Sequence, residues 1–101
     1  MPHVLVIHDS ATIRSELDQA LLAEGYTVVQ AESAGAAVRE LWQGSFDAAL
    51  FGERTPGLSG ATLEVHLKNL APEIVTMPIG KESPARLARK LTELLDGVAA
   101  A

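Results

Sequence analysis

Val4 to Ile7 is an unbroken apolar run in which only Leu5 is not β-branched, the pattern of a strand covered on both faces within a parallel sheet. Polar residues begin at His8. Ser10 suits a helix N-cap, and Ile13, Leu17, Ala20 and Leu21 then recur at helical spacing, with Leu17 and Leu21 on the inner stripe and Gly25 as the stop. Tyr26 to Ala31 alternates more and predicts a second strand near a sheet edge. Ser33 caps the next helical period, Ala34, Ala37, Val38, Leu41 and Trp42, which ends at Gly44; Asp47 to Phe51 predicts a third, buried strand.

Gly52 to Gly60 is dense in turn-forming residues and predicts a loop, followed by a helix through Leu63, Leu67 and Leu70 that Pro72 terminates. Ile74 to Met77 predicts a fourth strand. Ser83-Pro84 is an N-cap with proline at the first helical position, leading through Leu87, Leu91, Leu94 and Leu95 to Gly97. The expectation is an α/β protein: an open parallel sheet flanked by helices on both faces, built of four β-α units joined by right-handed crossovers. Residues 1–97 make one domain, and 98–101 a tail or the start of a linker.

A chain of 101 residues suffices for one core and not for two. Eight Lys and Arg against 13 Asp and Glu give a net charge of −5, which argues against phosphate-neutralising contacts with nucleic acid and against an acidic membrane surface. The imbalance is local. Arg14 and Arg39 are the only Lys or Arg among residues 1–52, where seven acidic residues stand, and the second half is balanced. With no cysteine, thiolate catalysis and disulfides are excluded. There is no cationic leader segment and no apolar run of membrane-spanning length, so a cytoplasmic location is expected.

Ligands of an open parallel sheet bind beyond the carboxyl ends of its strands, which draws attention to His8-Asp9-Ser10, Gly52-Glu53-Arg54 and Met77-Pro78. The runs VLVIHDSATIRSELDQALLAEGYTVVQAE and FDAALFGERTPGLSG resemble a response regulator receiver domain of the chemotaxis-regulator kind, over residues 4 to 95. The resemblance implies a flavodoxin-like receiver fold and a role in bacterial two-component signalling. Receivers transfer a phosphoryl group to an aspartate ending strand three, with an acidic pair after strand one holding a divalent cation. Here the acidic pair falls on His8 and Asp9, the phosphoacceptor on Gly52, and the family's Lys-Pro turn on Met77-Pro78. One carboxylate and no nucleophile remain, so neither an aspartyl phosphate nor a magnesium shell is expected. Glu53 is the nearest replacement acid, but strand alternation turns it away from Asp9.

Receivers have five β-α units. VTMPIGKESPARLARKLTELL resembles their final strand, turn and helix, so the family's strand 4 and helix 4 read as deleted; alternatively IVTMP is strand 4, with Thr76 near its hydroxyl position, and the fifth unit is lost. By the preferred alignment the Met77-Pro78 bond should be cis.

Simpler readings stand beside these. His8 reads as a hydrogen-bonded structural histidine, Asp9 as a helix cap or loop acceptor, and His3 and His66 as solvent-facing. Trp42 reads either as an exposed contact or as packed on the sheet. No nucleophile elbow or glycine-rich dinucleotide turn is present. The expectation is a non-phosphorylatable pseudo-receiver without enzyme activity, cofactor or metal, serving as a protein interaction module at the N-terminus of a larger regulatory protein. It would contact a protein partner or its own effector domain. Val65, Val75, Arg86, Arg89 and Lys90 are the candidate contacts, and the apolar edge strand suggests a homodimer. The alternative is a small-ligand or nucleotide sensor using the vacated crevice.

Overall fold

The computed structural model describes residues 2–52, 54, 55 and 58–100. Its order is β1 (His3–Ile7), α1 (Ala11–Ala23), β2 (Thr27–Ala31), α2 (Ala34–Gln43), β3 (Ala48–Gly52), β4 (Arg54–Thr55), β5 (Leu58–Ser59), α3 (Gly60–Leu70), β6 (Val75–Ile79) and α4 (Pro84–Ala100). The four long strands form one parallel sheet in the order β2-β1-β3-β6, and β4 and β5 form a short antiparallel pair inside the predicted loop. Four β-α units are present, with the last strand directly against β3.

Strand alternation sorts the core into two layers. Val4, Val6, Ala48, Leu50, Met77 and Ile79 face α1 and α4, where Leu17, Leu21, Leu87 and Leu91 close over them. Leu5, Ile7, Ala49 and Phe51 face α2 and α3, against Ala34, Ala37, Leu63 and Leu67. Every side chain of Val4 to Ile7 is buried, as the continuous apolar run requires.

The caps follow the sequence. Ser10 Oγ accepts the Ile13 N–H at 3.3 Å, Ser33 Oγ that of Ala36 at 3.1 Å, and Ser59 Oγ that of Thr62 at 3.3 Å. Gly25, with φ of 91°, supplies the left-handed turn between α1 and β2.

Three expectations are corrected. No cis peptide bond occurs among the described residues, so Met77-Pro78 is trans. The cause is register: β6 runs on to Ile79, with Met77 opposite Leu50 and Pro78 opposite Phe51, so the pair lies within extended strand rather than in a turn. Pro78 can sit there because β6 is an edge strand. The edge is also less apolar than the sequence suggests. Ile74 lies buried before the strand, and the half-buried Thr76 donates its hydroxyl to Glu64 Oε2 at 2.8 Å. Finally, α4 continues through Gly97 to Ala100, since the apolar packing upstream outweighs one glycine's helix cost of about 1 kcal/mol.

Candidate functional site

Parallel register places His8 one residue beyond the Ile7–Phe51 pair, level with Gly52, which in turn pairs with Ile79. That row is the carboxyl end of the sheet. Met77 and Pro78 lie behind it: Met77 is buried in the layer beneath α4, and Pro78 is exposed at the edge. The structure therefore brings His8, Asp9 and Gly52 together and leaves Met77-Pro78 out of that row. Glu53 lies outside the described residues.

His8 is held on several sides. Its N–H donates to Ala31 O at 3.1 Å, its carbonyl accepts from Arg14 Nη1 at 2.7 Å, and its Nδ1 accepts the Ser10 N–H at 2.9 Å. Asp9 Oδ1 also lies 3.1 Å from His8 Nδ1. The two contacts compete, because an ion pair would require a proton on the nitrogen that Ser10 uses as an acceptor. The backbone bond governs: it satisfies an N–H at the start of α1, whereas the Asp9 side chain is 61% exposed and solvated. His8 is thus a structural acceptor joining β1 to α1, and Ser10 rather than Asp9 caps the helix.

Arg14 is the residue sequence reasoning passed over. Besides gripping His8 O, its Nε donates to Gln30 Oε1 at 3.3 Å, and Gln30 Nε2 donates to Asp18 Oδ2 at 3.1 Å. This chain ties α1 to the β2 edge above the crevice. The available signal was Arg14's isolation as one of two Lys or Arg in an acidic half.

Magnesium takes an oxygen-rich octahedral shell. Asp9 offers one exposed carboxylate, His8 Nδ1 is already engaged, and Gly52 has no side chain. These residues do not fit the ion, and among the described residues no three His, Asp or Glu groups converge on a common point.

The proposed contact residues lie elsewhere. Val65 is exposed on α3, Val75 is half-buried at the start of β6, and Arg86 and Arg89 are exposed on α4. Lys90 pairs with Glu82, which answers the otherwise unpartnered Glu82 Oε2. Met77, Pro78, Leu87, Lys90 and Leu94 line a groove of about 400 Å³ between β6 and α4. A second groove of about 380 Å³ lies along α4 beside Arg86 and Arg89. Trp42 is 77% exposed and so is not packed on the sheet. His3 and His66 are exposed, and His3 stacks at 5.7 Å on Phe46.

This arrangement of sheet and helices is the fold of response regulator receiver domains. The chain is similar to a CheY-like receiver domain protein of Methanospirillum hungatei, at 22% identity and a TM-score of 0.86 over 96% of this chain and 95% of that one. It is similar also to a receiver domain of Clostridium thermocellum, at 17% identity and a TM-score of 0.88 over 99% of this chain and 98% of that one. A third similar structure is the Thermotoga maritima response regulator TrrA, solved with Mg²⁺ and beryllofluoride, at 20% identity and a TM-score of 0.77 over 93% of this chain and 99% of that one. No family model and no curated protein sequence matches the chain. No described helix is long and apolar enough to cross a membrane.

Proposed function

We propose that the chain is a pseudo-receiver: a receiver-fold module that has given up phosphoryl transfer and acts in signal transduction by binding protein. The observation carrying this reading is the row at the end of β1 and β3, where Gly52, the residue that the resemblance aligns with the phosphoacceptor, offers no side chain and the ring of His8 is committed to the Ser10 backbone. An acyl phosphate needs an oxygen nucleophile, and position 52 supplies none. In this reading the module is a cytoplasmic, non-enzymatic signalling domain. The test is incubation with acetyl phosphate, or with beryllofluoride and magnesium, followed by intact mass and amide NMR. Unchanged mass and unmoved Asp9 and Ser10 amides are expected; stoichiometric modification or saturable shifts there would overturn the reading.

The placement of α4 supports deletion of the family's strand 4 and helix 4. A helix leading by right-handed crossover to a further strand beyond β6 would share the face of α3. Instead α4 shares the face of α1, closing a layer that would otherwise lie open. The pairing of Met77-Pro78 with the family's Lys-Pro turn is not retained.

The partner surface in this reading is the β6 side, with Val65, Val75, Arg86, Arg89 and Lys90 around it, joined to a second copy, a partner or the effector domain. Its support is the free β6 edge beside the groove at Leu87 and Leu94. Light scattering across a concentration series separates the occupants: a mass near 10.7 kDa at hundreds of micromolar would exclude the homodimer. If a dimer forms, Val75→Asp should dissociate it while leaving the circular dichroism unchanged.

A further inference from the structure

The helices run antiparallel to the four strands of the parallel sheet, so one pole of the molecule collects the starts of those four strands and every helix end. At that pole Phe46, Pro72, Ile74, Val75 and Leu95 line a groove of about 1060 Å³, the largest of the three described above and here. Two of the five large exposed apolar side chains among the described residues stand at the same pole: Trp42 in the last turn of α2, and Leu70, 43% exposed, at the end of α3. Ile74 belongs to the core, and Phe46, Val75 and Leu95 are partly packed on it, each leaving part of its side chain at the groove. The groove lies at the opposite end of the sheet from His8 and Gly52.

The surrounding charge is predominantly negative. Asp47 and Glu73 line the groove, Asp96 follows Leu95, Glu24 caps α1, and Glu40 lies one turn before the end of α2. Each helix terminus adds the equivalent of about half a negative charge, and the last turns of α1, α2 and α4 hold no basic residue to offset it. The cations at this end are few. Lys68 is committed to Ile74 O at 3.0 Å, and Arg39 stands a turn up α2.

We infer that this pole is a docking site for a cationic peptide segment of a protein partner, one that seats bulky apolar side chains between Phe46, Pro72 and Leu95 and sets its lysines or arginines against Asp47, Glu73 and Asp96. Charge complementarity selects this occupant. Nucleic acid and anionic lipid would be repelled. A second copy carries Lys81, Arg86 and Arg89 near the start of α4, at the opposite pole, and could dock only head to tail, an arrangement that does not close on itself. The site is independent of the pseudo-receiver reading, since it uses no residue of the degenerate crevice.

Trp42 is the chain's single tryptophan and stands at this pole, in the last turn of α2 and outside the groove lining, so its emission complements the groove amides. Two synthetic peptides with the same leucine pattern, one otherwise lysine and one otherwise glutamate, are titrated into the intact ¹⁵N-labelled chain at low salt. The lysine peptide is expected to blue-shift Trp42 emission and move the Phe46, Glu73, Val75 and Leu95 amides, with affinity falling as salt rises. The glutamate peptide should bind at least tenfold more weakly. Glu73→Lys, an exposed loop change that leaves folding intact, should weaken the lysine peptide by about 3- to 10-fold. Equal response to both peptides, shifts centred instead on Met77, Leu87 and Leu94, or no response to about a millimolar peptide would overturn the inference. So would Trp42 and amide changes on raising protein concentration alone, because the occupant would then be a second copy. Val75 lines this groove as well as the β6 edge, so it is left unaltered in this experiment.

Discussion

Tyr26 and Thr92 offer a direct test of where α4 sits. Tyr26 is 6% exposed at the entry to β2, and its hydroxyl lies 2.6 Å from Thr92 Oγ1 on α4. Thr92 spends its own proton on Ala88 O at 3.1 Å, so Tyr26 must be the donor. Tyr26→Phe removes that donor and leaves Thr92 still bonded to Ala88, so the loss is the net value of one hydrogen bond, about 1 kcal/mol. For a domain of this size that corresponds to about 4–8 °C in Tm. Thr92→Val should cost more, about 1–3 kcal/mol, because it strands the tyrosine hydroxyl in a part-buried position. The double variant should then cost little more than Tyr26→Phe alone, leaving a coupling nearly as large as the Thr92→Val cost, about 1–3 kcal/mol, in a denaturant-melt cycle. Strict additivity of the two single changes would refute the pairing, and with it the placement of α4 across the α1 layer.

Restoring one lost group should not restore chemistry: Gly52→Asp is expected to stay unmodified by acetyl phosphate, whereas His8→Asp with Gly52→Asp should gain magnesium-dependent shifts at Asp9 and Ser10, read by amide NMR. Ser33→Ala, which frees the Ala36 N–H, should cost about 1 kcal/mol in urea melts, and a loss below a few tenths would mean the cap is not formed. Ile7→Val and Ile79→Val, in layers separated by the sheet, should each cost about 1 kcal/mol and add within about 0.5 kcal/mol.

The sequence by itself determined the four β-α units and the burial of the inner strands. The run Val4 to Ile7 could only be a doubly covered strand, and Ser10, Ser33 and Ser83 marked helix starts because hydroxyls at those positions satisfy backbone donors locally. It also determined that position 52 has no nucleophile, since glycine lacks a side chain in any fold. Only the tertiary structure decided register and layer. Whether Met77-Pro78 forms a turn or continues a strand depends on how far β6 stays paired with β3, a contact between segments 27 residues apart that no local pattern records. The same holds for His8, whose role follows from Ala31, Arg14 and Ser10 converging on it, and for α4, whose leucine stripe suits either face of the sheet. Periodicity fixes which side of a helix is apolar; the uncovered layer over Leu50, Met77 and Ile79 beside α1 decided what that side would cover.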